Sequence, residues 1–465
     1  MAEQIPPTPL PRLLLAAPMS GSGKTTLSAG LIAALRRRGL HIAPFKVGPD
    51  YIDPGYLGLA AGRSCHNLDA WMLPPDMIRP LLARHSRQAD LALIEGVMGL
   101  FDGYAGDDDS GSSAQIARLT ETPVLLVLDV RAQARTAAAL VLGLRDFDPR
   151  LQIAGVLLNR VGSAKHAQMV SRAIEDHVGL PVLGALPRSE NLHLPERHLG
   201  LVPTAEPGRR QEWLDHAAEQ IGAAVDLDRL LELARAAPPL EAMSTELPAV
   251  AQSVAAPRIA FAQDAAFSFR YADNLTLLRQ AGAELLPFSP LSDSELPPGT
   301  QAIYLCGGFP ELYAGELAAN TALRAQIHRA ARAGLPIYAE CGGLMYLTEI
   351  LIDGEGKSYP MAGVLPGQSR MTSRLTMGYR TVEAHNAHWL LRPGETLRGH
   401  EFHYSSWECT DTKVIPAYRI LPDTWQNRPR PDGAVLGNVL ASYIHVHFLA
   451  FPALAQRFVQ AAAQS

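Results

Sequence analysis

The sequence predicts an α/β protein of two domains, each built on a parallel sheet, and three observations carry that expectation. Short apolar runs rich in Leu, Ile and Val alternate with helical stretches, the pattern of strands covered on both faces by crossover helices. A glycine-rich turn, PMSGSGKTT at residues 18–26, joins the first such run to the first helix. The rhythm then fades between about residues 225 and 257 and starts again.

RLLLAAPM, from Arg12, reads as a strand, and TLSAGLIAALRRRG as a helix stopped by glycine. HIAPFKVG, LALIEGV, PVLLVLDV and IAGVLLNR supply further strands. After a short helix, an Ala/Pro/Ser-rich stretch without periodicity suits a linker. Beyond it RIAFAQD, ELLPFSPL, QAIYLCGG and LPIYAECGG read as strands, with NLTLLRQAG and a long Ala-rich run as helices. The expected boundaries are a first domain over 1–235, a linker over 236–256 and a second domain over 257–465.

Composition narrows the class. Over 465 residues, 47% hydrophobic and 19% charged content describes a soluble globular chain with room for two or three cores. Lys plus Arg total 41 against 46 for Asp plus Glu, a net −5 that argues against nucleic acid or an anionic membrane as partner. Cys65, Cys306, Cys341 and Cys409 form no CxxC pair, which favours a reducing, cytoplasmic setting. The run LLLAAP is too short to span a bilayer and leads straight into the glycine turn, so it reads as a buried strand, not a signal peptide.

The strand–GSGKTT–helix context identifies a phosphate loop. Backbone N–H groups of such a loop surround phosphates, its Lys meets the β/γ oxygens, and its Ser/Thr hydroxyl serves magnesium. Here Gly21 and Gly23 permit the turn, Ser22 and Thr26 complete the cradle, Lys24 is the phosphate lysine and Thr25 the metal hydroxyl. Pro18 stands where the first glycine usually sits, but that position need only accept a φ near −65°, which proline holds. ATP with Mg²⁺ is the expected cofactor. Two acidic loops follow strands on the same edge: Asp50 and Asp53 in KVGPDYIDPGY, and Glu95 with Asp102 in LALIEGVMGLFDG. The carboxyl ends of parallel strands are where open α/β sheets bind ligands.

In the second domain, LPIYAECGGLMYL places Cys341 between a strand and a helix, with Gly342 and Gly343 behind it. A nucleophile on such a turn is exposed, and N–H groups opening the helix can lower a thiol's pKa and hold an oxyanion. A base could come from SYIHVHF, where His445 and His447 stand two apart on a strand-like run and so share a face. His400 and His403 in GHEFHYSSW lack HExxH spacing and read as part of a structural or substrate-facing strand.

Taken in order, SGSGKTT, KVGPDYIDPGY, IEGVMGLFDG, YAECGGLMYL, GHEFHYS and SYIHVHF resemble the cobyrinic acid a,c-diamide synthase family over about residues 12–455. That family includes the enzymes acting on hydrogenobyrinic acid. The resemblance implies a first domain similar to dethiobiotin synthetase and a second similar to class I glutamine amidotransferases. It implies a ligase that uses Mg²⁺-ATP to phosphorylate the a- and c-acetate carboxylates of a corrinoid tetrapyrrole, and L-glutamine as nitrogen source. Carried over motif by motif, Thr25, Asp50 and Glu95 would form the magnesium shell, and Tyr51, Asp53 and Asp102 would face the substrate. Cys341 would attack the glutamine amide and His445 would protonate the departing ammonia. Backbone N–H groups near Gly307, Gly308 and Gly342 would form the oxyanion hole. A homodimer stays open.

One departure matters: where many class I enzymes carry a glutamate two residues beyond the histidine, this chain has His447. The orienting carboxylate is then missing or comes from elsewhere. Neighbouring readings are a,c-diamidation of nickel sirohydrochlorin and, in a different class, a partitioning-type ATPase switch. The latter usually carries a second lysine near the start of the loop, where Met19 stands, and has no use for Cys341 and His445.

Overall fold

The computed structural model describes residues 9–106, 108–189, 192, 196–197, 200–201, 207–240, 256–424 and 428–465. The chain divides into two compact units, Met1–Leu247 and Pro248–Ser465. Of the stretch expected as a linker, residues 241–255 lie outside the described residues.

The first unit opens with β1 (Arg12–Ala16), α1 (Lys24–Arg37), β2 (Ile42–Val47), α2 (Asp53–Ala61), β3 (His66–Leu68) and α3 (Ile78–His85). It continues with β4 (Leu91–Glu95), α4 (Ser113–Thr120), β5 (Val124–Asp129), α5 (Thr136–Phe147), β6 (Ile153–Val161), α6 (Ala164–Val178) and β7 (Val182–Pro187). A two-residue pair, β8 (Glu196–Arg197) and β9 (Gly200–Leu201), and two helices, α7 (Pro207–Ala224) and α8 (Leu227–Arg235), follow. Strands β1 to β7 form one parallel sheet in the order β3-β2-β4-β1-β5-β6-β7. Leu13 and Leu15 face a core shared with Leu27 and Leu31 of α1, Ile221 of α7 and Leu230 of α8. Leu14, equally buried, faces the other side of the strand. Helix starts are set by side chains: Ser112 accepts from the Gln115 amide, Ser163 from His166 and Asp226 from Arg229.

The second unit holds β10 (Arg258–Ala262), β11 (Phe267–Phe269), α9 (Ala272–Gln280), β12 (Glu284–Phe288), β13 (Ala302–Leu305), β14 (Gly307–Gly308), α10 (Ala314–Ala319) and α11 (Thr321–Arg332). Then come β15 (Ile337–Glu340), α12 (Gly342–Leu347), β16 (Thr348–Ile352), β17 (Ser358–Pro360), β18 (Leu365–Ala384) and β19 (Thr396–Glu408). The chain ends with β20 (Tyr418–Ile420), β21 (Arg430–Asp432), β22 (Ala434–Leu436), β23 (Val439–Ser442), β24 (Ile444–Val446) and α13 (Ala453–Ala463). The main sheet runs β12-β10-β13-β15-β23-β22 and is parallel except for β22. A second, largely antiparallel sheet runs β17-β16-β18-β19-β24. The α/β expectation therefore holds in both halves. The second sheet, with its 20-residue strand β18, was not anticipated from the sequence.

Candidate active site

In the first unit the strand order decides what meets. Inserting β4 between β1 and β2 brings the loop after β1 beside the ends of β4 and β2, and β5 and β6 flank its other side. Gly21 and Gly23 hold φ values of 76° and 91°, conformations glycine reaches without a Cβ penalty. Helix α1 begins at Lys24, so its first N–H groups open onto the loop. The Asn159 amide on β6 donates to the Ser22 carbonyl at 2.9 Å, and Arg160 donates to the Gly21 carbonyl at 2.9 Å and to Asp129 at 2.6 Å. The loop is thus clamped from the β5–β6 side.

On the opposite side the charges gather. The Thr25 hydroxyl donates to Glu95 Oε1 at 2.8 Å. Lys46, buried near the end of β2, lies 2.7 Å from the same oxygen and 2.6 Å from Asp53 Oδ2. Lys24 Nζ donates to the Met98 carbonyl at 2.6 Å, and Asp102 accepts from the Gly99 amide at 3.0 Å. Asp50 accepts from the amides of Ile52 and Asp53 at 2.7 and 3.1 Å, and Tyr51 beside it is half-buried.

Burial and neighbours set the charges here. Lys24 is lowered to about 8, first by burial and then by the Lys46 ammonium. Burial also acts to depress Lys46, but Asp53 and Glu95 outweigh it and hold the lysine firmly protonated. Asp50 is pushed up to about 7 by burial and by the Asp53 carboxylate. Glu95, fully buried, is raised by desolvation, whereas Lys46 outweighs burial at Asp53 and lowers it. Glu95 Oε2 is buried without a hydrogen-bond partner. An orphaned carboxylate oxygen beside a threonine hydroxyl is a hard-oxygen donor set that fits Mg²⁺.

In the second unit Cys341 follows β15 at the middle of the main sheet, between β13 and β23. Its backbone sits at φ 47°, ψ −102°, a strained conformation for a non-glycine residue and the mark of a sharp strand-to-helix elbow. Its amide donates to the Ser442 carbonyl at 2.7 Å, and its Sγ donates to the Phe402 carbonyl at 3.8 Å. Close approach demands the glycines: a Cβ on Gly342 would lie 2.8 Å from Pro310 Cδ and 3.0 Å from the Gly308 nitrogen. A Cβ on Gly307 would crowd His445, 3.2 Å from Nε2. Gly307, Gly308, Gly342, Cys341 and His445 are therefore one cluster.

Burial pushes the Cys341 thiol well up, Glu311 adds to this, and the Gly342 amide only partly opposes it. The amide at the helix start acts in the expected, lowering direction, but burial of the sulfur outweighs it. The two histidines of SYIHVHF also part company. His445 Nδ1 lies 3.7 Å from Glu340 Oε2, whereas His447 stacks on Tyr271 and lies 4.0 Å from Asp273. Strand β24 ends at Val446, so strand alternation does not carry through to His447. His400 sits across from His445 on β19, and burial, reinforced by His445, pushes it down to about 3. His403 bonds Glu401 at 3.1 Å, within a group that includes Arg380 and Arg430.

Lys46, Asn159, Arg160 and Glu340 were missed by sequence reasoning. Lys46 carried a signal, a lone charge inside the buried run IAPFKV. Asn159 stood at the end of a buried strand, where polar residues face ligands. Glu340 stood in view as the charge before the cysteine.

The fold and the two clusters define a class: a nucleotide-binding P-loop unit joined to a glutamine amidotransferase unit in one amide-forming ligase. Residues 13–202 match the CobQ/CobB/MinD/ParA nucleotide binding domain, and residues 258–453 the CobB/CobQ-like glutamine amidotransferase domain. A cobyrinate a,c-diamide synthase of Dehalococcoides mccartyi strain CBDB1 is 47% identical, covering 97% of this chain and 98% of its own. One from strain ATCC BAA-2266 is 46% identical, with coverages of 97% and 98%. A hydrogenobyrinate a,c-diamide synthase of Thermobifida fusca is 45% identical, with coverages of 99% and 98%. The chain belongs to the cobyrinate/hydrogenobyrinate a,c-diamide synthase family. Among the described residues no helix is long and apolar enough to cross a membrane.

Proposed function

We propose that this enzyme amidates the a- and c-acetate carboxylates of cobyrinic or hydrogenobyrinic acid, using ATP and glutamine, in cobalamin biosynthesis. The observation that carries the reading is the strained Cys341 elbow, grouped with His445 and the Gly307–Gly308 loop, in a chain that also bears the Lys24 phosphate loop. The domain limits we assign are 1–235 for the synthetase, 236–256 for the linker and 257–465 for the amidotransferase.

A carboxylate is a poor electrophile because ammonia would have to expel oxide. Transfer of the γ-phosphoryl group of ATP to the carboxylate oxygen gives an acyl phosphate and ADP; ammonia then displaces phosphate and leaves the amide. Lys24 and the loop amides hold the phosphates, and Gly21, Ser22, Gly23 and Thr26 shape the cradle. Thr25, Glu95 and Asp50 would hold Mg²⁺, which when bound screens the charge on the transferring group. Lys46 fixes Glu95 and Asp53, while Tyr51, Asp53 and Asp102 face the substrate. In the second unit His445 takes the thiol proton as Cys341 attacks the glutamine amide, with the oxyanion held by backbone N–H groups near Gly307, Gly308 and Gly342. The proton passes to the departing ammonia, and water hydrolyses the thioester to glutamate. The four free cysteines suit a reducing cytoplasm. A homodimer is carried forward as one candidate assembly, to be checked by light scattering.

The test is mass spectrometry of products from enzyme, Mg-ATP, glutamine and several tetrapyrroles, each exchange of OH for NH₂ appearing as a small downward mass step. Two steps on cobyrinic or hydrogenobyrinic acid are expected. Two steps on nickel sirohydrochlorin alone would move the substrate, and ATP hydrolysis without product would return the chain to the ATPase switches. Cys341→Ala should lose glutamine use and keep activity with free ammonia, whereas Lys24→Ala should lose both. Glutamine-driven turnover in Cys341→Ala would overturn the nucleophile.

A further inference from the structure

We infer that Glu340, the residue immediately before the nucleophile, is the positioning residue for His445 and takes the part of the carboxylate absent at His447. The inference rests on the reading of Cys341 as nucleophile and His445 as its base. Glu340 ends β15 and is 2% exposed, in a site where an ionised carboxylate must be anchored to be tolerated. It is anchored on three sides: Oε2 accepts from the Tyr304 hydroxyl at 3.0 Å, and Oε1 from the Tyr338 hydroxyl at 2.8 Å and the Val446 amide at 3.1 Å. The last bond ties it to the strand carrying His445.

The imidazole is oriented accordingly. Nδ1 faces Glu340 Oε2 at 3.7 Å, and Nε2 lies on the side of the Gly307 backbone, where the oxyanion loop runs. A carboxylate on the Nδ1 side keeps the proton on that nitrogen, so that Nε2 carries the lone pair that acts as base, and stabilises the imidazolium formed once the thiol proton is taken. The separation is longer than a hydrogen bond, as is common before substrate binds. No bond is made or broken at Glu340 itself: the proton moves from Sγ to the imidazole and then to the leaving ammonia. The alternative occupant, Asp273 beside His447, sits 4.0 Å from a histidine packed on Tyr271. The carboxylate has thus been supplied from the nucleophile's strand instead of from the histidine's.

The experiment measures glutamine-driven and ammonia-driven amidation for Glu340→Gln, Glu340→Asp and Cys341→Ala in the full-length protein, with thermal melts. Glu340→Gln should lower the glutamine-driven kcat by roughly 100-fold or more while leaving the KM for glutamine and the ammonia-driven rate near wild type. Glu340→Asp, which keeps the charge but draws it back, should fall between Glu340→Gln and wild type. In a His445→Ala background, Glu340→Gln should cost nothing further. An unchanged glutamine-driven kcat, or an additive loss in that background, overturns the inference. If Glu340→Gln fails to melt cooperatively, Glu340→Asp decides: full glutamine-driven activity there overturns it. If Cys341→Ala retains glutamine use, it is the underlying reading that has failed, not the role of Glu340.

Discussion

Around the phosphate loop, Lys24, Lys46, Asp50, Asp53 and Glu95 lie close enough to set one another's charge. Around the thiol the arrangement is the reverse: a protonated sulfur bonded to a backbone carbonyl, a histidine, and a carboxylate held by two tyrosines. Both sites lie beyond the end of a central parallel strand, so the sheet does not account for the difference. The reactions assigned to them do. A site that receives polyphosphate must present fixed cations and donors beforehand. A site that forms a thioester needs only a nucleophile with a base in reach and donors aimed at the oxyanion, so it can do without a cluster of fixed cations.

The sharpest way to break that contrast is to remove the cation that stabilises one site. Lys46→Met keeps most of the side-chain stem but leaves the buried Glu95 and the half-buried Asp53 without their ammonium. Stranding buried carboxylates in this way costs about 3–5 kcal/mol. Chemical denaturation of the first unit should show that loss, with both glutamine- and ammonia-driven activity gone. Cys341→Ala removes only a small neutral group and should cost under about 2 kcal/mol. Equal losses would mean that the thiol site also depends on fixed charge.

The second unit does contain buried ionisable groups, and pH separates their contributions. Burial pushes Asp432 up from 3.8 to about 6, against its bond to Ser442. The folded state then keeps this proton where the unfolded chain has lost it, so the contribution falls as pH rises from 3.8 towards 6. His400 slopes the other way. It is neutral in the fold down to about 3, while the unfolded imidazole is protonated below its ordinary 6.5, so stability is lost as pH falls through that window. Asp432→Asn should remove one opposing slope and leave those of His400 and of His388, which burial also lowers, set against the raised Glu311, giving a second-unit melting temperature that rises more steeply between pH 4 and 6 than in wild type. An unchanged profile would show that Asp432 ionises in the fold as it does in the unfolded chain.

What the sequence revealed follows from how local each feature is. PMSGSGKTT and YAECGGLMYL are legible because a strand, a glycine turn and a helix start are encoded within a few residues. Lys46, Asn159 and Glu340 are different, because their meaning comes from sheet order. Lys46 reaches Glu95 only because β4 lies beside β2, and Asn159 reaches Ser22 only because β6 lies next to β5 beyond β1. Strand order is a long-range property that no short window contains. His445 and His447 show the opposite error, where a local rule was extended one residue beyond the end of its strand. The second sheet was missed because β18 alternates weakly, with several exposed or half-exposed positions in succession.

The smallest expected effect tests whether the clamp on the phosphate loop matters as its geometry suggests. Asn159→Ala removes the 2.9 Å bond to the Ser22 carbonyl, while Arg160 still holds the Gly21 carbonyl from the same side. A neutral hydrogen bond of this kind contributes about 0.5–1.5 kcal/mol net. Spent on loop order, that is roughly a 2- to 12-fold weakening of nucleotide binding. The KM for ATP should therefore rise within that range, with kcat and the KM for glutamine unchanged. A fall in kcat at an unchanged KM for ATP would place Asn159 in the transfer step itself. The fixed groups of the nucleotide site would then extend to the β6 side of the loop.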